Sequence, residues 1–365
     1  MEKIASLILI FVCQCCILIT VLPCILYIVL DDDDIAEKLM VVGPLSHWFV
    51  GGCNYTTLLL HSKEIRFCAQ QMKSDWMTVT RLKDLQVMLK YSKLGRYVVV
   101  FCAAFMQGGV LCFCALRAFT VETVLIGNDT KNVHLVPCTP SKKVISFDTS
   151  PTNEIFIALQ FLSGFIVNST AAGAFSFAAV SAAHAYGQLN VLTDWIKELL
   201  NRTGKFDRKI DSNKIGIIVN NHLRILTFIA NIEDIMNKIC LMELFKCTVC
   251  ICTLEYHILM EWANHDYQSV TSFFLVLCSM SFNMFIVCYI GEKLSEQCKS
   301  IGETVYMTNW YYLPNKDILD LIMIISRSHM MTKITAGKVV PMSFDTFASV
   351  IKTGFAYLNV LRQTI

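Results

Sequence analysis

Long apolar stretches constrain the fold of this chain more than any other feature of its sequence. A helix needs roughly 20 mostly apolar residues to cross about 30 Å of bilayer hydrocarbon. Six stretches meet this requirement, and a seventh at the C-terminal end is long enough but more polar. They are 5–30, 39–60, 97–120, 154–183, 239–262, 268–290 and 344–365. The sequence therefore predicts an all-α membrane protein with seven transmembrane helices.

The composition agrees with a protein that is surrounded by lipid. Hydrophobic residues make up 55% and charged residues only 16% of the chain, and the mean hydropathy is +0.52. Soluble domains usually contain about 45–50% apolar and about 25% charged residues. The net charge of +2 lacks the basic excess of a nucleic-acid-binding protein. We therefore expect membrane lipid, and no nucleic acid, among the partners.

Lysine and arginine residues in the loops predict the orientation of the helices, because basic residues concentrate in cytoplasmic loops. The segments 61–96, 184–238 and 291–341, together with Lys3, hold 23 basic residues, whereas the alternate loops hold 4. The N-terminus is therefore expected in the cytoplasm and the C-terminus outside the cell. The Asn-x-Thr sequon at Asn128 lies in an outer loop, so this asparagine is the expected glycosylation site.

The residues that catalysis or metal binding would need are not arranged in any readable motif. The chain contains none of the GxSxG, HExxH, Walker A, GxGxxG or kinase signatures. Its 17 cysteines include the closely spaced Cys247, Cys250 and Cys252, but these lie inside an apolar stretch without a second ligand pair. We interpret the cysteines as small packing residues and predict no metal, no cofactor and no enzyme activity.

The last apolar stretch is unusually polar for a transmembrane helix. Lys352, Tyr357 and Asn359 are tolerated only if part of the helix surface meets water or protein. Tyr357, Val360 and Thr364 recur at helical spacing on one face. Two structures explain this pattern equally well from the residues alone: a pore-lining helix in an oligomer, and a helix at the centre of a monomeric bundle.

Four blocks of the sequence carry a resemblance to a known family. The C-terminal block ITAGKVVPMSFDTFASVIKT begins at Ile334, and it follows the block GETVYMTNWYYLP that begins at Gly302. Two earlier blocks are residues 64–76 and HAYGQLN from His184. Together they resemble insect odorant receptors, most closely the expanded receptors of ants, bees and wasps. Family members usually have a longer cytosolic segment before the first helix, which here starts at Ala5.

The resemblance implies an odorant-gated, non-selective cation channel that assembles as a heterotetramer with a shared olfactory co-receptor. It implies three parts: a six-helix bundle with an odorant pocket at 1–290, a cytosolic loop and anchor helix at 291–343, and a pore helix at 344–365. The expected location is the plasma membrane of the dendrite of an olfactory sensory neuron. The implied ligand is a small volatile or lipid-like odorant.

The resemblance also assigns roles within the last helix. It places Val360 and Thr364 at the gate and Gln363 at a pore-facing amide position, with Tyr357 matching the co-receptor. A threonine at the gate, where the family has an apolar residue, makes a purely apolar gate less tight in this subunit.

The implied odorant pocket lies in the outer half of the bundle, between the second, third, fourth and sixth transmembrane helices. Its apolar and aromatic character suits a small ligand with few polar groups. The candidate ligand-binding residues are His47, Trp48, Gly109, Cys112, Phe113, Leu116, Phe156, Leu159, Gln160, Ser163, Phe273 and Phe274. Among them, His47 and Gln160 are expected to hydrogen-bond a carbonyl or hydroxyl group.

The sequence features also bear on three alternative functions. A G-protein-coupled receptor has the opposite orientation, and this chain lacks its Asp/Glu-Arg-Tyr and NPxxY motifs. A secondary transporter predicts internal repeats, which the sequence does not show. A gustatory-type ligand-gated channel is a nearer rival, although the block from Tyr306 to Pro314 favours the odorant receptors.

Overall fold

The computed structural model describes residues 2–119, 121–126, 129–134, 136–141, 143, 151–201, 212–330 and 332–364. Within these residues the chain forms nine α-helices, two hairpins and a 3₁₀ helix at Trp310–Tyr312. The helices are α1 (Glu2–Leu30), α2 (Ile35–Leu60), α3 (Ser62–Thr78), α4 (Leu82–Phe119), α5 (Thr152–Asn201), α6 (Ser212–Ala263), α7 (Tyr267–Tyr306), α8 (Asn315–His329) and α9 (Phe344–Thr364). The strands are β1 (Val121–Ile126), β2 (Asp129–His134), β3 (Thr335–Ala336) and β4 (Val340–Pro341). The predicted helical class is confirmed.

Neighbouring long helices run antiparallel, as contacts between α4 and α5 illustrate. Gly95, early in α4, lies against Ala183, late in α5. Later in α4, the Met106 carbonyl accepts a hydrogen bond of 3.5 Å from Asn168, which is earlier in α5. The antiparallel β1–β2 hairpin follows α4 and precedes α5. The end of the bundle that carries this hairpin is called the hairpin end below, and the opposite end is called the far end.

The described part of each predicted transmembrane stretch falls inside one helix: α1, α2, α4, α5, α6, α7 or α9. Among the described residues, α1, α4, α5 and α7 contain segments long and apolar enough to cross a membrane. The described parts of α2, α6 and α9 contain no such segment; α6, for example, carries buried Glu243 and Lys246, which bind each other. The count of seven spans and their orientation therefore stay predictions.

The largest hydrophobic core joins α5, α6, α7 and α8 and extends to the far end. Leu189 on α5, Ile229 and Ile232 on α6, and Ile301 on α7 are fully buried in it. Most of these positions lie beyond the predicted spans, because α5, α6 and α7 continue for several turns past them. The far end is thus a packed helical body rather than a set of loops.

The C-terminal helices each bury one face and expose another. On α8, Leu321 and Ile324 are buried, whereas Leu319 and Met323 are 62% and 67% exposed. The β3–β4 hairpin then leads into α9. This last helix packs on α6 through Gly354. Apolar surface of this kind marks sites where a protein meets lipid or another subunit.

Candidate functional site

A cavity lies between α2, α4, α6 and α7 in the half of the bundle nearest the hairpin end. Its walls are almost entirely apolar and aromatic, which is typical of small-molecule sites. The lining residues are Met40, Gly43, Pro44, His47, Trp48, Phe113, Cys250, Thr253, Leu254, His257, Phe273, Val276 and Met280.

The free volume of the cavity is about 50 Å³. A benzene ring fits a dry cavity of about 150 Å³, so an odorant-sized ligand requires some side chains to move. Met40 and Met280 are unbranched, and methionine adapts its shape more readily than other apolar residues. A change of rotamer at these two methionines would supply part of the extra volume.

Aromatic rings form one wall of the cavity. His257 on α6 stacks on Phe273 of α7, with ring centroids 5.4 Å apart and planes inclined by 27°. Phe113 on α4 approaches the same phenylalanine at 6.3 Å. These contacts link three helices around Phe273. A planar apolar ligand would find matching ring faces there.

The opposite wall carries the polar atoms of the site. His47 is 7% exposed; the Asn168 side chain of α5 lies close to its ring, but neither ring nitrogen makes a hydrogen bond of standard geometry among the described residues. The indole nitrogen of Trp48 is likewise unpartnered within that part of the chain. Buried polar atoms normally have partners, so these atoms favour a ligand that brings an oxygen or hydroxyl group. The Thr253 hydroxyl instead donates to the Val249 and Cys250 carbonyls.

Four of the twelve predicted ligand-binding residues line this cavity together: His47, Trp48, Phe113 and Phe273. Each comes from a helix that the sequence placed around the pocket, but the fourth predicted span, in α5, does not line this cavity, and the fifth, in α6, takes its place. The remaining eight lie elsewhere, and their part in ligand binding stays a prediction.

Three of those eight residues hold the structure together at other positions. Gly109 permits the close approach of α4 to α7, since a Cβ atom there would lie 2.8 Å from Ser279. Both amide atoms of Gln160 bind the Cys138 backbone, at 3.1 Å to its nitrogen and 2.6 Å to its oxygen. Phe156 of α5 packs against Val136, which lies in the same loop as Cys138.

The other five residues differ in exposure but do not line the cavity. Cys112 and Phe274 point to the outer surface of the bundle, and Phe274 is 54% exposed. Leu116 and Leu159 are half-buried. Ser163 is fully buried, and its hydroxyl has no partner within the described residues.

The sequence reasoning missed nine lining residues, and helical spacing contained the signal for most of them. Cys250, Thr253, Leu254 and His257 recur at intervals of three or four on α6. The same period extends from Trp48 back to Pro44 and Met40, and from Phe273 to Val276 and Met280. Choosing which helical face turns inward required the packing of α6 against α2 and α7.

The predicted pore residues are on α9. Tyr357 and Val360 are 55% and 57% exposed on the surface of the single chain. Gln363 and Thr364 belong to the last turn of α9. The predicted glycosylation site, Asn128, lies outside the described residues.

Helix α6 connects the ligand cavity with the predicted pore helix. Its residues Thr253 and His257 face the cavity, whereas Ile251 and Glu255 face α9. A Cβ atom on Gly354 of α9 would lie 2.7 Å from the Ile251 side chain and 3.5 Å from the Glu255 carboxylate. A single stretch of α6 therefore touches both sites. Within the described residues, no cluster of His, Cys, Asp or Glu is arranged to hold a metal ion.

Known odorant receptors share this fold. The chain superposes on the insect olfactory receptor OR5 from Machilis hrabei with a TM-score of 0.82 and 15% identity, over 97% of this chain and 88% of that one. The structure of OR5 in complex with eugenol gives a TM-score of 0.76 over the same shares, at 14% identity.

Sequence relatives agree with the structural match. Odorant receptor 10 of Aedes albopictus is 22% identical over 48% of this chain and 46% of its own length. Odorant receptor 2a of Drosophila melanogaster is 22% identical over 36% of this chain and 33% of its own length. The match thus spans less than half the length of these curated relatives. The family model for the 7tm odorant receptor covers residues 35–355. The resemblance seen in the sequence is confirmed: this chain belongs to the 7tm odorant receptor family of insects.

Proposed function

We propose that this chain is the odorant-binding subunit of a heteromeric, odorant-gated, non-selective cation channel that it forms with the shared olfactory co-receptor. The far end faces the cytoplasm and the hairpin end faces outward, as the loop charges indicate. The subunit works in the plasma membrane, on the dendrite of an olfactory sensory neuron. The last helix of each subunit lines one central pore.

The observation that carries this proposal is the double contact of α6. A ligand that widens the cavity pushes on Thr253 and His257, and Ile251 on the opposite face transmits the displacement to Gly354 of α9. Because Gly354 has no side chain, the Ile251 side chain packs directly against the backbone of α9, so a movement of α6 displaces α9. The ligand shifts the closed–open equilibrium only by its difference in affinity for the two states.

Exposed surface near the C-terminal end supports assembly into an oligomer. Leu319 and Met323 on α8 are apolar and exposed outside the predicted spans, where lipid does not cover them. On α9, Lys352, Tyr357 and Asn359 are exposed together. Polar groups on a transmembrane helix are tolerated where the helix lines water or meets protein. A central aqueous pore between subunits meets that condition.

The chemistry of the cavity defines the ligand class as a small, mostly apolar molecule with one hydrogen-bonding oxygen. The His47 ring and the Trp48 indole, the polar groups of the lining on α2, recognise that oxygen, while the Phe113–Phe273–His257 wall holds the apolar part. The complex of OR5 with eugenol supports a ligand of this size.

Whole-cell recording tests the proposal. Cells expressing the chain with and without the co-receptor are exposed to volatile esters, alcohols, hydrocarbons and acids while G-protein signalling is blocked. The expected result is a fast, non-selective cation current that requires both chains. A response that the G-protein block abolishes would show a metabotropic receptor instead.

A further inference from the structure

A second groove lies at the far end, between α3, α4 and α5, and it is separate from the ligand cavity. Its free volume is about 240 Å³. Trp76 of α3 forms one wall, Arg96 and Val99 of α4 another, and Val180 and Ala183 of α5 the third. None of these residues lines the odorant cavity.

The groove crosses the boundary between the apolar and the charged parts of its helices. On α4, Lys90, Lys93 and Arg96 follow one another at helical spacing, and no further charged residue occurs before Arg117. On α5, His184 is the first ionisable side chain after Glu154. Arg96 and His184 therefore mark the level where the hydrocarbon begins, and Val99 and Val180 lie on its apolar side.

Small residues at a helix crossing form the floor of the groove. A Cβ atom on Gly95 would lie only 2.8 Å from the Cβ of Ala183, so α4 and α5 touch at backbone distance there. Water does not fill the inner part of the groove, which Val99, Val180 and Ala183 line and which offers no polar partners. An acyl chain matches that apolar surface.

Arg96 supplies an uncompensated positive charge at the polar end. Its guanidinium is exposed and makes no ion pair or hydrogen bond within the described part of the chain. By contrast, Arg81 pairs with Glu198 and Arg224 with Asp75, each at 2.7 Å.

Asp75, the residue before Trp76 in α3, contacts His184 of the groove. Its carboxylate is bound by His184 at 2.9 Å and by Arg224, so its negative charge is already neutralised. An incoming anion therefore meets the charge of Arg96. Ser92, on the preceding turn of α4, adds a hydroxyl to the same rim.

We propose that this groove is a binding site for an anionic glycerophospholipid. Arg96 binds the phosphate, Ser92 donates a hydrogen bond to it, and one acyl chain lies along Val99 and Val180. Trp76 covers the glycerol region, the level of a bilayer at which tryptophan is enriched. The site holds α3 against the α4–α5 crossing and does not depend on channel activity.

Trp76 itself provides the reporter for a test. The purified full chain is placed in nanodiscs whose bilayer is ordinary phosphatidylcholine. Either brominated phosphatidylserine or brominated phosphatidylcholine is then added, because brominated acyl chains quench tryptophan fluorescence. We expect brominated phosphatidylserine to quench a component that the Trp76→Phe variant lacks. Quenching of this component should saturate at a lower mole fraction of brominated phosphatidylserine than of brominated phosphatidylcholine.

Variants separate charge recognition from general lipid contact. Arg96→Gln should weaken the phosphatidylserine response about fivefold, the effect of one basic residue near an anionic surface. Arg66→Gln, which removes an exposed arginine of α3 outside the groove, should leave it unchanged. Equal quenching by the two lipids, equal effects of the two variants, or displacement by millimolar inorganic phosphate would overturn the proposal. Unchanged thermal unfolding of Arg96→Gln verifies that this variant is folded.

Discussion

Glu243 on α6 accepts a hydrogen bond of 2.7 Å from the side-chain amide of Asn54 on α2, deep inside the bundle. The second carboxylate oxygen of Glu243 binds Lys246 at 2.5 Å. All three residues are at most 5% exposed. Ionised groups inside a membrane bundle are costly unless each charge is paired, so the three residues form one interdependent unit that joins α2 to α6.

Removing one charge of this unit should destabilise the protein strongly. Lys246→Met leaves the Glu243 carboxylate buried and unpaired, and we expect a loss of about 3–5 kcal/mol in the free energy of unfolding. The double variant Glu243→Gln/Lys246→Met removes both charges and should recover most of that loss. Chemical unfolding in detergent measures each variant. Additive losses in the double variant would show that the two charges act independently.

Gln160 should control the order of the loop that packs on α1 and α5. Gln160→Leu leaves the buried nitrogen of Cys138 without a partner and its oxygen with only the weak thiol donor of Cys24 at 3.6 Å, which should cost about 1–3 kcal/mol. Hydrogen–deuterium exchange of residues 136–141 should accelerate accordingly. Gln86→Leu, at an exposed position of α4, is the matched control and should leave that exchange unchanged.

Gly291 should be irreplaceable at the contact between α7 and the segment before α9. A Cβ atom there would overlap the carbonyl oxygen of Met342 and lie 3.1 Å from its Cβ. Gly291→Ala should therefore lower the thermal unfolding temperature in detergent, because a backbone atom cannot rotate away. Gly173→Ala is the matched control: nothing lies within 4 Å of its Cβ position, and alanine should stabilise helix α5 by up to about 1 kcal/mol. Similar effects of both changes would contradict this account.

Neighbouring phenylalanines on α7 provide a sharp test of the ligand cavity. Phe273→Ala removes a wall of the cavity and should raise the half-maximal odorant concentration roughly tenfold or more, the worth of one buried aromatic contact. Phe274→Ala, one residue later and 54% exposed, should change it little. Trp48→Ala and Phe113→Ala, which change other walls of the cavity, should alter the rank order of odorants.

Val360 on α9 should affect conduction rather than ligand selection. Val360→Ala on α9 should change leak current or conductance and leave the odorant rank order as it is, because Val360 does not line the cavity. Whole-cell currents with the co-receptor give both quantities from the same recordings. If Val360→Ala reorders the odorants as strongly as Trp48→Ala does, binding and gating are not carried by separate parts of the chain.

The sequence could predict which stretches become helices, because length and apolarity decide this locally. The family resemblance, which placed the pocket in the outer half of the bundle, also selected Trp48 and Phe273 as cavity residues, but it could not separate Phe273 from the exposed Phe274 beside it. The sequence could not show that Gln160 binds the backbone of Cys138, because this partner lies in a loop rather than on another helix. Nor did it single out Glu243 and Lys246: hydropathy averages over all helical faces, whereas their pairing with Asn54 depends on the rotation of α6 against α2.

Stability should depend on pH through His222, which is 1% exposed on the far-end part of α6. Burial, and secondarily the charge of Arg327, lowers the pKa of His222 from 6.5 to about 4. Between these values the unfolded chain binds a proton that the native chain does not, so acidification across this window favours unfolding. The loss should reach about 3 kcal/mol near pH 4, at about 1.4 kcal/mol per pH unit. Unfolding curves of His222→Leu should lack this component, whereas His329→Leu, at an exposed position of α8, should retain it.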